Sequence, residues 1–173
     1  MKKIYDIVIE KNSNVTRENL LELNNSNSKN FIKSGTSVVY LYKLVDNKVK
    51  YPNREGDIIY IGEAGRRKEG TGKRFSQHIS KAASEGGDTG GNYTISNYYW
   101  NGYKIKLEIY EMENGEDRKI IEKNLIQYHV RKFGARPIAQ GCSGKNYTVN
   151  VINNINLIIF LKKFEIIENY TIL

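Results

Sequence analysis

Five residues of this chain carry the chemistry needed to break a phosphodiester bond. Tyr40 and Tyr60 each lie within a run of β-branched and aromatic residues. Arg74 and His78 stand four residues apart, the spacing that brings two side chains to one face of a helix. Glu122 lies in a long helical pattern with mostly apolar neighbours. Phosphodiester cleavage needs a way to activate water, a cation to meet charge growing on the phosphate, and commonly a metal held by carboxylate oxygen. Tyrosine, arginine and glutamate can supply these three. Taken singly, each residue also has an ordinary explanation. Tyrosines favour sheets, and this chain has 13. Arg74 and His78 suit a solvated helix face, and Glu122 with Asp117, Lys119 and Lys123 suits an exposed charge cluster. It is their order along the chain that sets the five apart.

The elements that must position them are legible from periodicity and breakers. Asn14 to Leu23 predicts a short helix, with Asn14 or Thr16 as cap and Leu20, Leu21 and Leu23 available for burial. Ser37 to Val45 and Asp57 to Gly62 are apolar, β-branched runs that predict two buried strands, joined as a hairpin with a long connection. Lys73 to Ala83 predicts an amphipathic helix with Phe75, Ile79, Ala82 and Ala83 at helical spacing. Glu85 to Asn92 holds four glycines in eight residues and predicts a loop. The aromatics Tyr93, Tyr98, Tyr99 and Trp100 that follow suit a core or stacking on bases. Tyr103 to Tyr110 alternates with period two, a third strand whose charged face is expected to see solvent or a ligand. Glu116 to Phe133 is the clearest helix, stopped by Gly134. Ala135 to Asn146 is expected to be irregular, and Asn150 to Asn169 a last helix or a strand. The fold class that follows is α/β of the α+β kind, a small central antiparallel sheet flanked by helices.

Composition narrows the partners. A length of 173 residues fits a single domain spanning 1–173. Lysine plus arginine is 27 against 19 acidic residues, a net charge of +8, which points toward a polyanion. Lysine enrichment alongside abundant isoleucine and asparagine also fits AT-rich codon usage, which weakens that inference. The charge is concentrated between Arg66 and Lys81, where six basic residues meet one acidic residue, a net of +5 in sixteen positions. Arg66, Arg67, Lys68, Lys73 and Lys81 are therefore the candidate nucleic-acid contacts. Lys104, Lys106, Arg131, Lys132, Arg136 and Lys145 extend the candidate footprint. The lone Cys142 excludes an internal disulfide and a Cys-rich zinc site, and suits a reducing cytoplasm. Asp6 and Glu10 leave the N-terminus too short an apolar stretch for a secretory leader. The longest uncharged run, Asn146 to Leu161, falls short of the ~18 residues of a membrane span, so no membrane partner is expected.

Val38-Val39-Tyr40, Tyr60-Ile61-Gly62, Arg74-x-x-x-His78 and Glu122-x-x-Leu125-Ile126 occur in that order, and the string resembles the GIY-YIG nuclease family. Tyr60-Ile61-Gly62 is the family's second tripeptide letter for letter. In the first, Val38 replaces the glycine and only the tyrosine survives; Tyr42, two residues on and on the same strand face, is the alternative to Tyr40. The connection between the two tyrosines is longer than in minimal members, making Val45 to Gly56 an insertion. The resemblance covers Ser37 to Phe133, a catalytic core of 37–133, with 1–36 and 134–173 as extensions packed on it. It implies a metal-dependent endonuclease acting on DNA, double-stranded above all. Tyr40 and Tyr60 would line the site near the attacking water, Arg74 would contact the scissile phosphate, and His78 would hydrogen-bond within the site. Glu122 would hold Mg²⁺ or Mn²⁺, one carboxylate being enough for a hard cation that keeps several waters. A phenol with a pKa near ~10 is a poor base at neutral pH; neighbouring cations and a metal would favour its phenolate, so that one tyrosine accepts water's proton directly or by relay.

A short single-domain chain looks most like the restriction-type members, and a palindromic target would call for a homodimer. The alternatives are a non-catalytic nucleic-acid-binding module on the same scaffold, or a purely structural domain. Phosphate contacts carry no sequence information. The candidate base readers therefore lie outside the core motifs, with Lys48, Lys50, Asn53 and Arg54 of the insertion foremost. The ordinary alternative there is a solvated hairpin tip.

Overall fold

A computed structural model of the chain describes residues 1–65, 71–79, 90–113 and 117–141. In chain order these form strand β1 (Lys2–Ile9), a 3-10 helix (Arg17–Asn24), β2 (Val38–Leu44), the two-residue strands β3 (Val49–Lys50) and β4 (Glu55–Gly56), and β5 (Ile58–Ala64). Helices α1 (Lys73–His78) and α2 (Gly90–Trp100), strand β6 (Ile105–Glu111) and helix α3 (Arg118–Phe133) follow. The main sheet is antiparallel with strand order β1-β6-β2-β5, and β3 pairs with β4 as a separate small hairpin. The architecture is the α+β arrangement expected, a central antiparallel sheet with helices on both faces.

β2 lies between β6 and β5, which explains why its run Val38-Val39-Tyr40-Leu41-Tyr42 has no polar alternation. Val38, Tyr40 and Tyr42 pack with Phe75 and Ile79 of the α1 segment, Ile95 and Tyr99 of α2, and Leu20 and Leu23 of the 3-10 helix. Val39 and Leu41 point the other way, onto Ile121, Leu125 and Ile126 of α3. A strand buried on both faces is apolar at every position. α3 is capped as its sequence predicts: Asp117 accepts from the Lys119 N–H at 2.9 Å, and Gly134 closes the helix at φ 80°, where a residue without Cβ is unstrained. None of the described helices is long and apolar enough to cross a membrane.

Several expectations need correction. The N-terminal segment, to which the sequence pattern assigns no element, is a strand, pairing with β6 from Lys2↔Glu111 to Ile9↔Ile105. The segment 14–23 forms a 3-10 helix starting after Thr16, and it buries Leu20 and Leu23 while leaving Leu21 exposed. The loop expected at 85–92 gives way to helix by Gly90. Two glycines are poor helix starters, but burial of Ile95 and Tyr99 favours the helix, with Tyr98 and Trp100 packed at its margin and Tyr93 exposed. The charged face of β6 is not simply solvated: Glu108 is buried, with Lys43 Nζ at 2.8 Å and Lys106 Nζ at 3.1 Å. Burial opposes its charge, yet the two lysines hold its carboxyl below the usual range. The last predicted element, Asn150 to Asn169, lies outside the described residues.

Candidate active site

The site begins with the pairing of β2 and β5. Tyr40 is opposite Gly62, and Tyr42 is opposite Tyr60. A Cβ on Gly62 would lie 2.5 Å from Tyr40 Cζ and 2.6 Å from both its hydroxyl oxygen and Tyr60 Cε1. The glycine of Tyr60-Ile61-Gly62 is therefore required by space, because the Tyr40 ring crosses directly over it. The Tyr40 and Tyr60 ring centroids are 5.9 Å apart, tilted by 31°.

α1 is set against this pair by the N-terminal part of the chain. A Cβ on Gly72 would sit 1.7 Å from the Leu23 carbonyl oxygen, so the helix start lies in backbone contact with the end of the 3-10 helix. The Gly72 N–H donates to the Ile32 carbonyl at 3.2 Å, and the Thr71 hydroxyl donates to that of Thr36 at 3.1 Å. From α2, the Ser96 hydroxyl donates to the His78 carbonyl at 2.9 Å. Held at both ends, α1 buries Phe75 edge-on to Tyr40 and brings His78 Nε2 to 2.8 Å from the Tyr40 hydroxyl. Tyr40 and His78 are both fully buried, whereas Tyr60 is partly open to solvent. Arg74, one turn before His78, hydrogen-bonds the hydroxyls of Tyr40 and Tyr60.

Tyr42 belongs to the same ring cluster, 5.3 Å from His78 by centroids, and is also fully buried. Its hydroxyl has no hydrogen-bond partner among the described residues. The two candidates for the first tyrosine thus differ in kind, since only the Tyr40 hydroxyl engages His78 and Arg74. Both phenols are held in their neutral form. Burial dominates, with the Tyr60 phenol adding to it, and pushes their pKa values well above the usual phenol value despite the opposing effect of Arg74.

Glu122 approaches from the opposite face of the sheet, on α3, beside the outer edge of β5. The backbone N–H of Glu63 donates to its carboxylate, and the Glu63 side chain lies close by. Burial first, then the Glu63 charge, push its pKa up to about 7, against the pull of Arg74 and Lys119. Arg74 therefore acts on both halves of the site, as hydrogen-bond donor to the tyrosines and as counter-charge to Glu122. The Glu63 carboxylate itself is ion-paired with Arg118 Nε, on α3 four residues before Glu122. Neither Glu63 nor Arg118 was anticipated from the sequence, although Glu63 directly follows Gly62 and Arg118 lies at i−4 to Glu122. Two carboxylates near one another, one costly to ionise, fit a hard divalent cation with oxygen ligands, because such an ion would reverse both penalties. Among the described residues no group of three or more His, Cys, Asp or Glu side chains forms a fuller cage.

Three backbone groups on the outer edge of β5 are taken. The Ile59 carbonyl accepts from the Ala139 N–H at 2.8 Å, the Ile61 N–H donates to Gln140 Oε1 at 3.2 Å, and the Glu63 N–H donates to Glu122.

Of the candidate nucleic-acid contacts, Lys73 is the first residue of α1, while Arg66, Arg67, Lys68 and Lys81 lie outside the described residues, as does Lys145. Lys104 and Lys106 are ion-paired with Asp46 and with Asp6 and Glu108. The insertion is a small hairpin packed on the end of α3. The Asn53 N–H donates to the Phe133 carbonyl at 3.0 Å, and the Tyr51 ring stacks edge-on to His129. A Cβ on Gly56 would meet the Phe133 ring at 2.6 Å. Lys48, Lys50, Asn53 and Arg54 are exposed on this hairpin. Compared with known proteins, the chain matches no protein-family model, no curated protein and no solved structure.

Proposed function

We propose that the chain is a metal-dependent DNA endonuclease of restriction type, hydrolysing phosphodiester bonds through Tyr40, Tyr60, Arg74, His78 and Glu122. The observation that carries this reading is the buried Tyr40–His78 hydrogen bond of 2.8 Å beside Tyr60, with Arg74 bonding both phenols and attracting the Glu122 carboxylate. Tyr60, the partly exposed phenol, meets the attacking water and orients it through its hydroxyl. Tyr40 and His78, closed off from solvent, form a hydrogen-bonded pair that fixes the Tyr60–Arg74 geometry. Arg74 offers guanidinium N–H groups to the phosphate oxygens as charge grows there. The water oxygen bonds to phosphorus and gives up a proton to solvent, the P–O bond to the leaving group breaks, and the departing oxygen takes a proton from solvent. Glu122 would hold Mg²⁺ or Mn²⁺, which when bound neutralises phosphate charge and lowers the cost of deprotonating water.

Incubation with mixed plasmid DNA and Mg²⁺, followed by sequencing of the ends, tests the reading. Discrete ends are expected, and Glu122→Gln should abolish cleavage while leaving DNA binding measurable. The amide keeps the shape and still offers an acceptor to the Glu63 N–H, but it loses the charge that holds the metal. Salt-dependent DNA binding with no nicking by the wild type would instead favour the non-catalytic binding module, and full activity in Glu122→Gln would remove that residue from the site.

A further inference from the structure

We infer that Glu63 and Arg118 form a positioning pair that holds Glu122 at the site, with Glu63 gripping α3 at two points one helical turn apart. The inference rests on the nuclease reading for its consequence, metal affinity, and on the Glu63–Arg118 ion pair with the Glu63 backbone contact to Glu122 for the grip itself. Strand alternation sends Tyr60 and Gly62 toward α1 and turns Ile61 and Glu63 toward α3. Glu63 then makes two contacts with the same helix: its carboxylate pairs with Arg118 Nε, and its backbone N–H donates to the Glu122 carboxylate. Positions four apart share one helix face, so the two contacts fix both the rotation and the height of the first turns of α3 against β5.

Arg118 is poorly placed for any other purpose. It is the first residue of α3, where a cation opposes the helix dipole, so its charge gives the helix no support of its own. Its guanidinium instead lies close over the chain just beyond β5: a Cβ on Gly65 would come within 3.2 Å of Nε and 3.3 Å of Ser37 Oγ. Side-chain exposures of 16% for Arg118 and 24% for Glu63 leave the pair mostly screened from water, where an ion pair holds its geometry better than on an open surface. Arg118 also neutralises the carboxylate that faces Glu122, so the two acidic groups tolerate one another without Glu63 being free to move.

Partners that orient a metal-ligating side chain are typically worth ~10–100-fold in metal affinity. The test compares the full-length wild type with Arg118→Gln, Arg118→Lys and Glu63→Gln. Mn²⁺ binding is followed by calorimetry well below each melting temperature, and amide hydrogen exchange at Glu63 and over residues 118–122 is measured in parallel. Arg118→Gln and Glu63→Gln are expected to weaken Mn²⁺ about 10–100-fold and to speed exchange of the Glu63 amide, with partial rescue in Arg118→Lys. Unchanged Mn²⁺ affinity with unchanged exchange overturns the inference. Tighter Mn²⁺ binding in Arg118→Gln overturns it too, since Glu63 would then be a ligand that Arg118 restrains. Wild-type protein that binds no Mn²⁺ sinks the nuclease reading, and the exchange data still decide the grip: faster Glu63 exchange in both Gln variants sustains it, and unchanged exchange ends it.

Discussion

Three tyrosines within one ring cluster should respond differently to the loss of a single oxygen. In Tyr40→Phe the ring stays on Gly62, but His78 Nε2 loses a buried partner at 2.8 Å and Arg74 loses one of its two phenolic acceptors. Leaving one buried polar group unsatisfied costs ~1–3 kcal/mol. For a chain of 150–250 residues each kcal/mol moves the melting temperature by roughly 2–4 °C. Tyr40→Phe should therefore melt several degrees lower as well as lose activity. In Tyr42→Phe the oxygen removed is buried with no hydrogen-bond partner among the described residues, so its removal relieves a desolvation penalty. That variant should be as stable as wild type or more so, by up to ~1–3 kcal/mol, with activity kept. Tyr60→Phe, at a partly exposed position, should melt near wild type with activity at least ~100-fold lower, the smaller end of what a positioned proton-handling group contributes. Thermal unfolding and single-turnover cleavage give both axes. A destabilised Tyr42→Phe beside a stable Tyr40→Phe would refute the assignment of the hydroxyls. Loss of activity in Tyr42→Phe with activity kept in Tyr40→Phe would shift the catalytic tyrosine by two residues.

Gly62→Ala should cost about 1–3 kcal/mol, as overpacking does, and should lower activity, because the new methyl displaces the Tyr40 ring from His78; wild-type melting temperature and rate together would show that the ring moves aside freely. Arg74→Ala should slow the single-turnover rate at saturating protein more than it weakens DNA binding, since the charge it meets develops in the transition state; equal rates would make it a surface cation. Burial lowers the pKa of His129 from 6.5, against the hydrogen bond to the Ala135 carbonyl. The unfolded chain then binds the proton more readily, so this contribution to stability is whole above pH ~6.5 and lost as pH falls toward the folded value. Glu122 acts in the opposite sense: with a folded pKa of about 7 against an ordinary 4.5, its contribution is present at low pH and lost as pH rises through that window. Melting curves from pH 5 to 8 should thus show a gentler acid-side fall in His129→Phe than in wild type, and an identical slope would exclude His129 as its source.

The parts of the fold legible in the sequence were those carried by local pattern. β2 and β5 were visible as apolar runs, and α3 by its period and its closing glycine. β1 was harder to see, because Tyr5, Ile7 and Ile9 alternate with only Asp6 and Val8 between them, too little contrast to separate from a leader-like start. α2 escaped because Gly90 and Gly91 argue for a loop, whereas the burial that makes it a helix comes from packing against α1 and β5. At the site, identity and order single out Tyr40, Tyr60, Arg74, His78 and Glu122 as candidates, and the structure brings them near one another. Which tyrosine hydroxyl is engaged, and that Glu63 faces Glu122, depend on strand register and on the approach of α3, and nothing in a one-dimensional pattern encodes either.

The occupied border of β5 gives Glu122 a second kind of importance. A terminal strand with open amides and carbonyls is a template on which another chain can add itself. Here the Ile59 carbonyl, the Ile61 amide and the Glu63 amide are each taken, and the last is taken by the same carboxylate that would hold the metal. A lineage that discarded the chemistry by truncating Glu122 to alanine would leave the Glu63 amide open at that border, and with it a nucleus for intermolecular strand addition. Glutamine or another acceptor of similar length would keep the border closed. Variants that remain monodisperse should for this reason keep an acceptor at position 122, so that such a residue there serves protection from self-association apart from the proposed catalysis.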